Sequence, residues 1–497
     1  MTAPVIDRPA LWQRLHTVAP VLLETVPATD DDPFAAAGQL LDAVVRSVAE
    51  DPGNGRLWLL LIALTGEFPT HDDLMDVRRA LELHQGAIAQ HVLLDRCLAM
   101  IAAPEDTVAE LDLITDRPVI DVDFSARNEL MTGIQRVVRH TVPRWLEHHE
   151  FVLTAWTTSR TAMRRLDPPE MQRVVSFHDR ADGSRGKQVE GSRPHRLVAP
   201  WHVPVILTEV PEPGHAERLA ALGQHSGSPL GLIGYDCIPV VSADLVTQHD
   251  QEKFIAYLDV VKFASTVACI SEPSAEEFAG FVDMVHPQAL PGPRVVVCPL
   301  PTGAAAAPGG LPPVAANGPA RVVCVGSIDR RKNQIMVLEA AERLWREGHM
   351  FSLHFLGSGG LPPADFTEWL EQVVASGRPI TVASEVSDDD LTRAVGAARF
   401  TAFLSLHEGF GLPVAESLAL GVPVLASNIG SVRSLADGHG GLVVDPNDAD
   451  AVTTQMRRLL TDDALIDELR TLARAQPSRS WADYAADLWR LVVDGAV

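Results

Sequence analysis

The chain lacks any apolar run long enough to cross a bilayer. Its longest, Leu57 to Leu64, is far short of the roughly 20 residues a membrane helix needs. No basic segment followed by an apolar stretch opens the chain, so no secretory leader is expected. A cytoplasmic location follows, with a peripheral position at the inner face of a membrane left open. Cysteines are few and odd in number: Cys97, Cys237, Cys269, Cys298 and Cys324. Most lie in apolar strand patterns and read as reduced core residues rather than a disulfide framework. Basic residues are scarce as well. Lys and Arg total 41 against 65 Asp and Glu, a net charge of -24 and a pI near 5.1. That balance argues against nucleic acid as a partner and against purely electrostatic docking on anionic lipid. The histidines are scattered, with no His-Glu-x-x-His spacing and no Asp-x-Asp in a metal setting, so no metal site is expected.

What the chain has is size and α/β patterning. Its 497 residues suggest about two to four domains. Residues 1–115 show apolar residues at helical spacing over Leu11 to Leu23, Pro33 to Ala49, Arg56 to Thr65 and Asp72 to Ala102. This region reads as a helical extension, either a cap on the next domain or a docking module for a partner protein or second copy. An α/β domain is expected over 116–300, an Ala/Gly/Pro-rich linker over 301–319 and a second α/β domain over 320–475. The tail, 476–497, carries an amphipathic helix.

The most informative stretch is Glu408-Gly-Phe-Gly-Leu-Pro-Val-Ala-Glu416. Gly409 and Gly411 free the backbone for a turn, and Pro413 suits the first turn of a helix. Strand, glycine turn and helix follow in order, with a stop at Gly421. The amides of Phe410, Gly411 and Leu412 would point out of the helix start, where an anion is favoured. Glu408 and Glu416 would accept hydrogen bonds from sugar hydroxyls; taken alone, they also read as surface glutamates at a plain helix start. Upstream, strand Arg321 to Gly326 runs into a basic turn and a helix from Gln334. Arg331 and Lys332 are placed to neutralise a diphosphate, by bidentate grip and point charge respectively. Basic residues at a helix start oppose its dipole, which points to a nearby anion.

In the first α/β domain, Pro118 to Asp123 reads as a short strand and Phe124 to Met131 as a polar loop. Thr132 is placed to cap the helix that follows, and Gly133 lets a ligand approach the backbone. Arg136 and Arg139 share a helix face and either touch substrate or are surface charges. Leu232 to Val240 reads as a buried strand with a polar break at Tyr235-Asp236. Asp236 either contacts an acceptor or is a turn residue. Ser271 or Ser274 with Glu276 or Glu277 suggests a capping box.

Taken in order, Phe351-Ser-Leu-His-Phe-Leu-Gly, Val386-Ser-Asp-Asp-Asp-Leu391, Ser405-Leu-His-Glu-Gly-Phe-Gly-Leu-Pro-Val-Ala-Glu416 and Gly421-Val-Pro-Val-Leu-Ala-Ser-Asn428 resemble the C-terminal domain of glycosyltransferase family 4. The Thr132-Gly-Ile-Gln-Arg-Val run resembles the first loop of a subgroup tied to polysaccharide assembly. The resemblance implies a GT-B fold, two Rossmann-like doubly wound domains facing across a cleft, with the last helix packed back on the first domain. It implies a retaining transferase that moves a hexose from a nucleotide-diphosphate sugar, GDP- or UDP-linked, to a glycan or lipid-linked acceptor without a cofactor. Lys332 and Arg331 would bind the diphosphate, Glu408 the transferred sugar and Glu416 the ribose. Gly133, Gly326, Phe410, Gly411 and Leu412 would line the donor site, and Ser387 and Leu391 the base pocket. Asp236 and Arg136 would face the acceptor. Two positions depart from the family pattern: Ser327 stands where relatives often carry arginine, and Arg433-Ser434 where many carry Pro-Glu. These departures leave a second expectation, a non-catalytic scaffold working through its helical N-terminus.

Overall fold

The computed structural model describes residues 7–27, 33–177, 196–303, 319–357, 362–384 and 386–495. The expected linker falls almost wholly outside them. Helices Arg8–Leu22, Pro33–Glu50, Asn54–Thr65, His71–Leu83 and Gly86–Met100 form the N-terminal region. Every residue from Leu57 to Thr65 is buried. The longest apolar run is therefore a core helix, buried on all sides. Among the described residues no helix is long and apolar enough to cross a membrane. The single helical pattern expected over Asp72 to Ala102 is two helices. His84 and Gln85 are extended and Gly86 has positive φ, which breaks the ladder between them.

The N-terminal helices share one continuous core with the first sheet, joining Leu15, Val44 and Trp58 to Val119, Trp156 and Leu207. At its centre Arg14 is fully buried. Its Nε donates to the Ala63 carbonyl at 2.8 Å, and its Nη1 to the carbonyls of Thr107 and Ala109 at 2.6 and 2.9 Å. Burial pulls the guanidinium pKa down to about 10, still protonated at neutral pH. This arrangement is that of a cap on the sheet.

The first sheet comprises β1 (Leu111–Ile114), β2 (Val119–Asp121), β3 (Val152–Trp156), β4 (Met163–Arg165), β5 (Leu197–Pro200), β6 (Val205–Leu207), β7 (Leu230–Gly234), β8 (Thr266–Cys269) and β9 (Arg294–Val297). Their order is β1-β5-β4-β3-β2-β6-β7-β8-β9. β4 runs antiparallel to both of its neighbours, and the other pairings are parallel. The sheet thus reaches back across residue 115, because β1 pairs in register with β5. The second sheet comprises β10 (Ala320–Val325), β11 (Phe351–Leu356), β12 (Ile380–Ala383), β13 (Phe400–Phe403), β14 (Val424–Ser427) and β15 (Gly441–Val444), all parallel, in the order β12-β11-β10-β13-β14-β15. Winding reverses between β2 and β6 in one sheet and between β10 and β13 in the other. Parallel sheets open a ligand crevice at such points, beyond the carboxyl ends of the strands. Helix Trp481–Val492 returns to the first domain, where Trp145 Nε1 donates to the Ala485 carbonyl at 2.7 Å and the His149 and Trp489 rings stack 3.8 Å apart.

Several local readings are corrected. The polar loop after β2 begins as a short helix, Asp123–Arg127. The strand expected to run to Val240 ends at Gly234, and Ile238–Val241 is a helical turn opened by Pro239. Ser271 does cap helix Glu272–Val285, but through the Ser274 amide. No capping box forms, because the third helical position is Ser274, not glutamate. Thr132 sits at the N-cap of helix Gly133–His148 without bonding its amides; its hydroxyl meets Gln135 instead. The five cysteines are buried free thiols, and burial raises their pKa values.

Replacing Arg14 with Met would leave three buried carbonyls short of a donor, an expected cost of about 3 kcal/mol. Native-state hydrogen exchange of helices Arg8–Leu22 and Asn54–Thr65 should then speed up by about 10²-fold, and unchanged protection would refute this role for Arg14.

Candidate functional site

The site stands at the reversal point of the second sheet. After β10 the chain turns at Gly326, whose φ is 130°, and Asp329 caps a short 3₁₀ turn over Arg330–Lys332 by accepting from the Lys332 amide at 3.0 Å. Ser327 holds that aspartate at 2.7 Å. Asn333 takes a left-handed conformation, φ 56°, and its amide group bonds the Pro446 carbonyl. The turn delivers Arg331 and Lys332 toward the loop that follows β13. Lys332 is one of four lysines in the chain, the others being Lys187, Lys253 and Lys262. Arginine serves nearly everywhere else, so a compact, point-like ammonium is the exception at this position.

Glu408 receives both cations. Lys332 Nζ meets Oε1, Arg331 Nη1 lies 2.8 Å from Oε2, and Ser405 Oγ donates to Oε1 at 2.6 Å. The ammonium also lies 4.9 Å from the centre of the Phe403 ring. Burial works against the Glu408 carboxylate, but Lys332 and Arg331 outweigh it and hold its pKa at about 2. Arg331 also donates to the His407 carbonyl at 3.0 Å. Two cations face one carboxylate here, and the Asp329 and Asp236 carboxyls also act on Arg331.

The glycine turn does two separate jobs. Gly411 has φ 103° and starts helix Leu412–Ala419 without a side-chain cap. Among the described residues the amides of Phe410, Gly411 and Leu412 donate no hydrogen bond. Gly409 is needed for close approach. A β-carbon there would lie 2.3 Å from the Tyr235 carbonyl oxygen and 3.2 Å from Asp236. Its carbonyl accepts from Ser271 Oγ at 2.5 Å and Ser274 Oγ at 3.1 Å. Phe410 is buried in a cluster containing Ile120, Val137 and Tyr235 of the first domain. The turn is therefore seated in the facing domain, which sequence spacing did not reveal.

The expected residues all lie around this cleft, in two groups. Lys332, Arg331, Glu408 and Gly326 form one, with Asp236 behind it. Asp236 is half-buried, and its desolvation raises its pKa against the opposing pull of Arg331. Glu416 belongs to the second group. It is paired with Arg136 of the first domain, and Arg136 Nη2 lies 3.7 Å from Asp388. Burial raises the Glu416 pKa against that pairing. Gly133 lies opposite Leu412, whose Cδ1 would be 3.9 Å from an added β-carbon. Ser387 caps helix Asp388–Gly396, and Leu391 packs in a small cluster beside it. Arg139, expected on the Arg136 face, is buried instead. It donates to the carbonyls of Leu130 and Asn128, and its guanidinium stacks 3.8 Å from the Phe177 ring. Its reach into the core, not helical spacing, decides its role. The sequence reading missed Ser405, Ser431, which donates to the Glu408 carbonyl at 2.8 Å, and the Glu277–His407 contact. Only their nearness to the glutamate motif hinted at the first two.

Residues 319–462 match the family described as Glycosyl transferases group 1. The chain is 36% identical over 155 residues to the O-antigen chain mannosyltransferase B of Escherichia coli, covering 31% of this chain and 40% of that protein. It is 24% identical over 349 residues to the serotype-specific mannosyltransferase WbdA of Escherichia coli, 65% of this chain and 39% of WbdA. The chain thus spans about two fifths of the length of these curated relatives. Among solved structures it resembles Anabaena HepE in complex with UDP, with a TM-score of 0.52, 13% identity and coverage of 76% of this chain and 99% of HepE. The two facing sheets are those of the GT-B fold.

Glu408 ionises more readily in the fold than in the unfolded chain, so its pairing stabilises the protein above about pH 4.5 and is lost as pH falls through about 2. Glu408→Gln should therefore unfold about 3–5 kcal/mol more easily in urea at pH 7. The gap should narrow only below pH 4.5; a gap independent of pH would contradict the pairing.

Proposed function

We propose that this chain, whose second α/β domain belongs to the group 1 glycosyl transferases, transfers a hexose from a nucleotide-diphosphate sugar to a glycan or lipid-linked acceptor with retention at the anomeric carbon. Mannose is the first candidate, since the two Escherichia coli relatives described above are named mannosyltransferases. GDP and UDP are the leading bases: one relative, from Mycolicibacterium smegmatis, is named as GDP-mannose-dependent, and HepE was solved with UDP.

The observation that carries this reading is the placement of Lys332 and Arg331 at the sheet reversal, facing the loop that starts helix Leu412–Ala419. Lys332 and Arg331 together bring two positive charges to one Glu408 carboxylate. These cations, with the unbonded amides of Gly411 and Leu412, suit a diphosphate. In this reading the diphosphate takes a share of both cations, and Glu408 turns to the hydroxyls of the transferred sugar. The bond from the anomeric carbon to the phosphate oxygen breaks as that oxygen gains charge. The acceptor hydroxyl adds on the same face and gives its proton to the departing oxygen. Preorganised donors aimed at developing charge supply most of the acceleration, about 10²–10³-fold for each one removed. Ser327, where relatives often carry arginine, would leave more of this work to Arg331. Glu416 would hold the ribose once Arg136 releases it or joins it there.

The test has two parts. A thermal-shift panel of GDP, UDP, ADP and dTDP should single out one base, since a ligand bound only by the folded state raises its melting point. Transfer from the matching sugar donor should persist in EDTA and fall by about 10²–10³-fold in Lys332→Ala and Glu408→Gln. If wild type is no faster than both variants with every donor, the scaffold reading replaces this one.

A further inference from the structure

We propose that Glu277 and His407 form a positioning pair through which the first domain sets the placement of the Glu408 loop. His407 precedes Glu408, yet its ring belongs to the facing domain. Nε2 lies 2.7 Å from Glu277 Oε1 and Nδ1 lies 2.8 Å from Ser242 Oγ, so both ring nitrogens are engaged across the cleft. The second Glu277 oxygen accepts from the Cys237 amide at 2.7 Å. That amide directly follows Asp236, which abuts Gly409. Glu277 thus fixes both walls of the contact: the His407 ring on one side and the 235–238 turn on the other. Both side chains are largely buried, 17% and 15% exposed.

The backbone of His407 faces the chemistry. Its carbonyl takes the Arg331 guanidinium at 3.0 Å, and the next residue holds Lys332 and Arg331. A shift of the ring therefore reaches the cation pair through a single peptide unit. Neither Glu277 nor His407 needs to touch donor or acceptor for this. They act on how the donor loop lies against the acceptor domain.

The pair is also sensitive to pH. Glu277 faces the ring from helix Glu272–Val285, Asp236 from the turn after β7, and Arg331 from the turn after β10. The bond to Glu277 raises the His407 pKa above its ordinary 6.5, with Asp236 adding to the shift and Arg331 opposing it. A raised histidine contributes fully below its unfolded pKa and loses that contribution as pH climbs through the folded value. The loop should therefore loosen on the alkaline side of 6.5.

The rate half of the test rests on the proposed transferase activity; the structural half does not. Hydrogen exchange of the Leu406 and Cys237 amides, which donate to the Arg331 carbonyl and to Glu277 Oε2, is corrected for intrinsic rates and measured across pH in wild type, His407→Gln, His407→Ala and Glu277→Gln. Wild type should lose protection as pH rises. His407→Gln, which keeps a donor but cannot titrate, should stay protected and flat with pH, and His407→Ala should be open throughout. In steady state, His407→Ala should lower kcat about 10²-fold with donor KM nearly unchanged. His407→Gln should keep most of the rate and lose the alkaline decline. Wild-type protection in His407→Ala, or an alkaline decline retained in His407→Gln, would overturn the proposal. Absence of transfer in wild type would refute the transferase reading alone, because the exchange result still decides the positioning role.

Discussion

A carboxylate buried between two domains has to be paired, and Glu408 is paired twice. Burial alone would drive it toward the neutral acid; Arg331 and Lys332 keep it ionised. Much of the local architecture follows from that requirement. The Asp329-capped turn, the left-handed Asn333 and the Ser405 hydroxyl all bring cations and carboxylate to one point at the end of β10 and β13. Removing a partner from such a group leaves a buried charge uncompensated, a far larger penalty than an exposed ion pair would incur.

The second constraint is the closeness of the domains. Gly409 is pressed against the Tyr235 carbonyl, and Phe410 is buried in the core of the facing domain. Arg136 reaches Glu416 and Asp388 from the other side. These contacts describe a closed cleft in which the two sheet reversals confront each other. Opening it would expose Phe410 and unpair Arg136 from Glu416. The same contacts place Glu416, which was expected to hold a ribose, under an arginine from the first domain.

The fold was legible to the extent that it depends on neighbours in sequence. Helical spacing located the N-terminal helices, although it ran His71–Leu83 into Gly86–Met100 because both carry apolar stripes and only backbone dihedrals separate them. β10 was visible as a short apolar run closed by Gly326, and the helix after the glycine turn by its stop at Gly421. The antiparallel β4 and the edge strand β1 were not: β1 pairs with a strand far along the chain, Leu111 opposite Leu197, and β4 is only three residues long. Likewise Arg139 looks like Arg136 on a helical wheel, yet one is a core residue and the other an interdomain contact.

By itself, the sequence singled out the residues expected to carry chemistry, Lys332, Arg331, Glu408 and Glu416, because turn glycines, a helix-starting proline and charge at helix ends are local properties of the chain. Only the tertiary structure decided what these residues hold. Arg136 and Glu416 stand 280 positions apart, and Glu277 and His407 stand 130 apart. Such pairs are made by the packing of two independently folded sheets, whose mutual orientation no local pattern encodes.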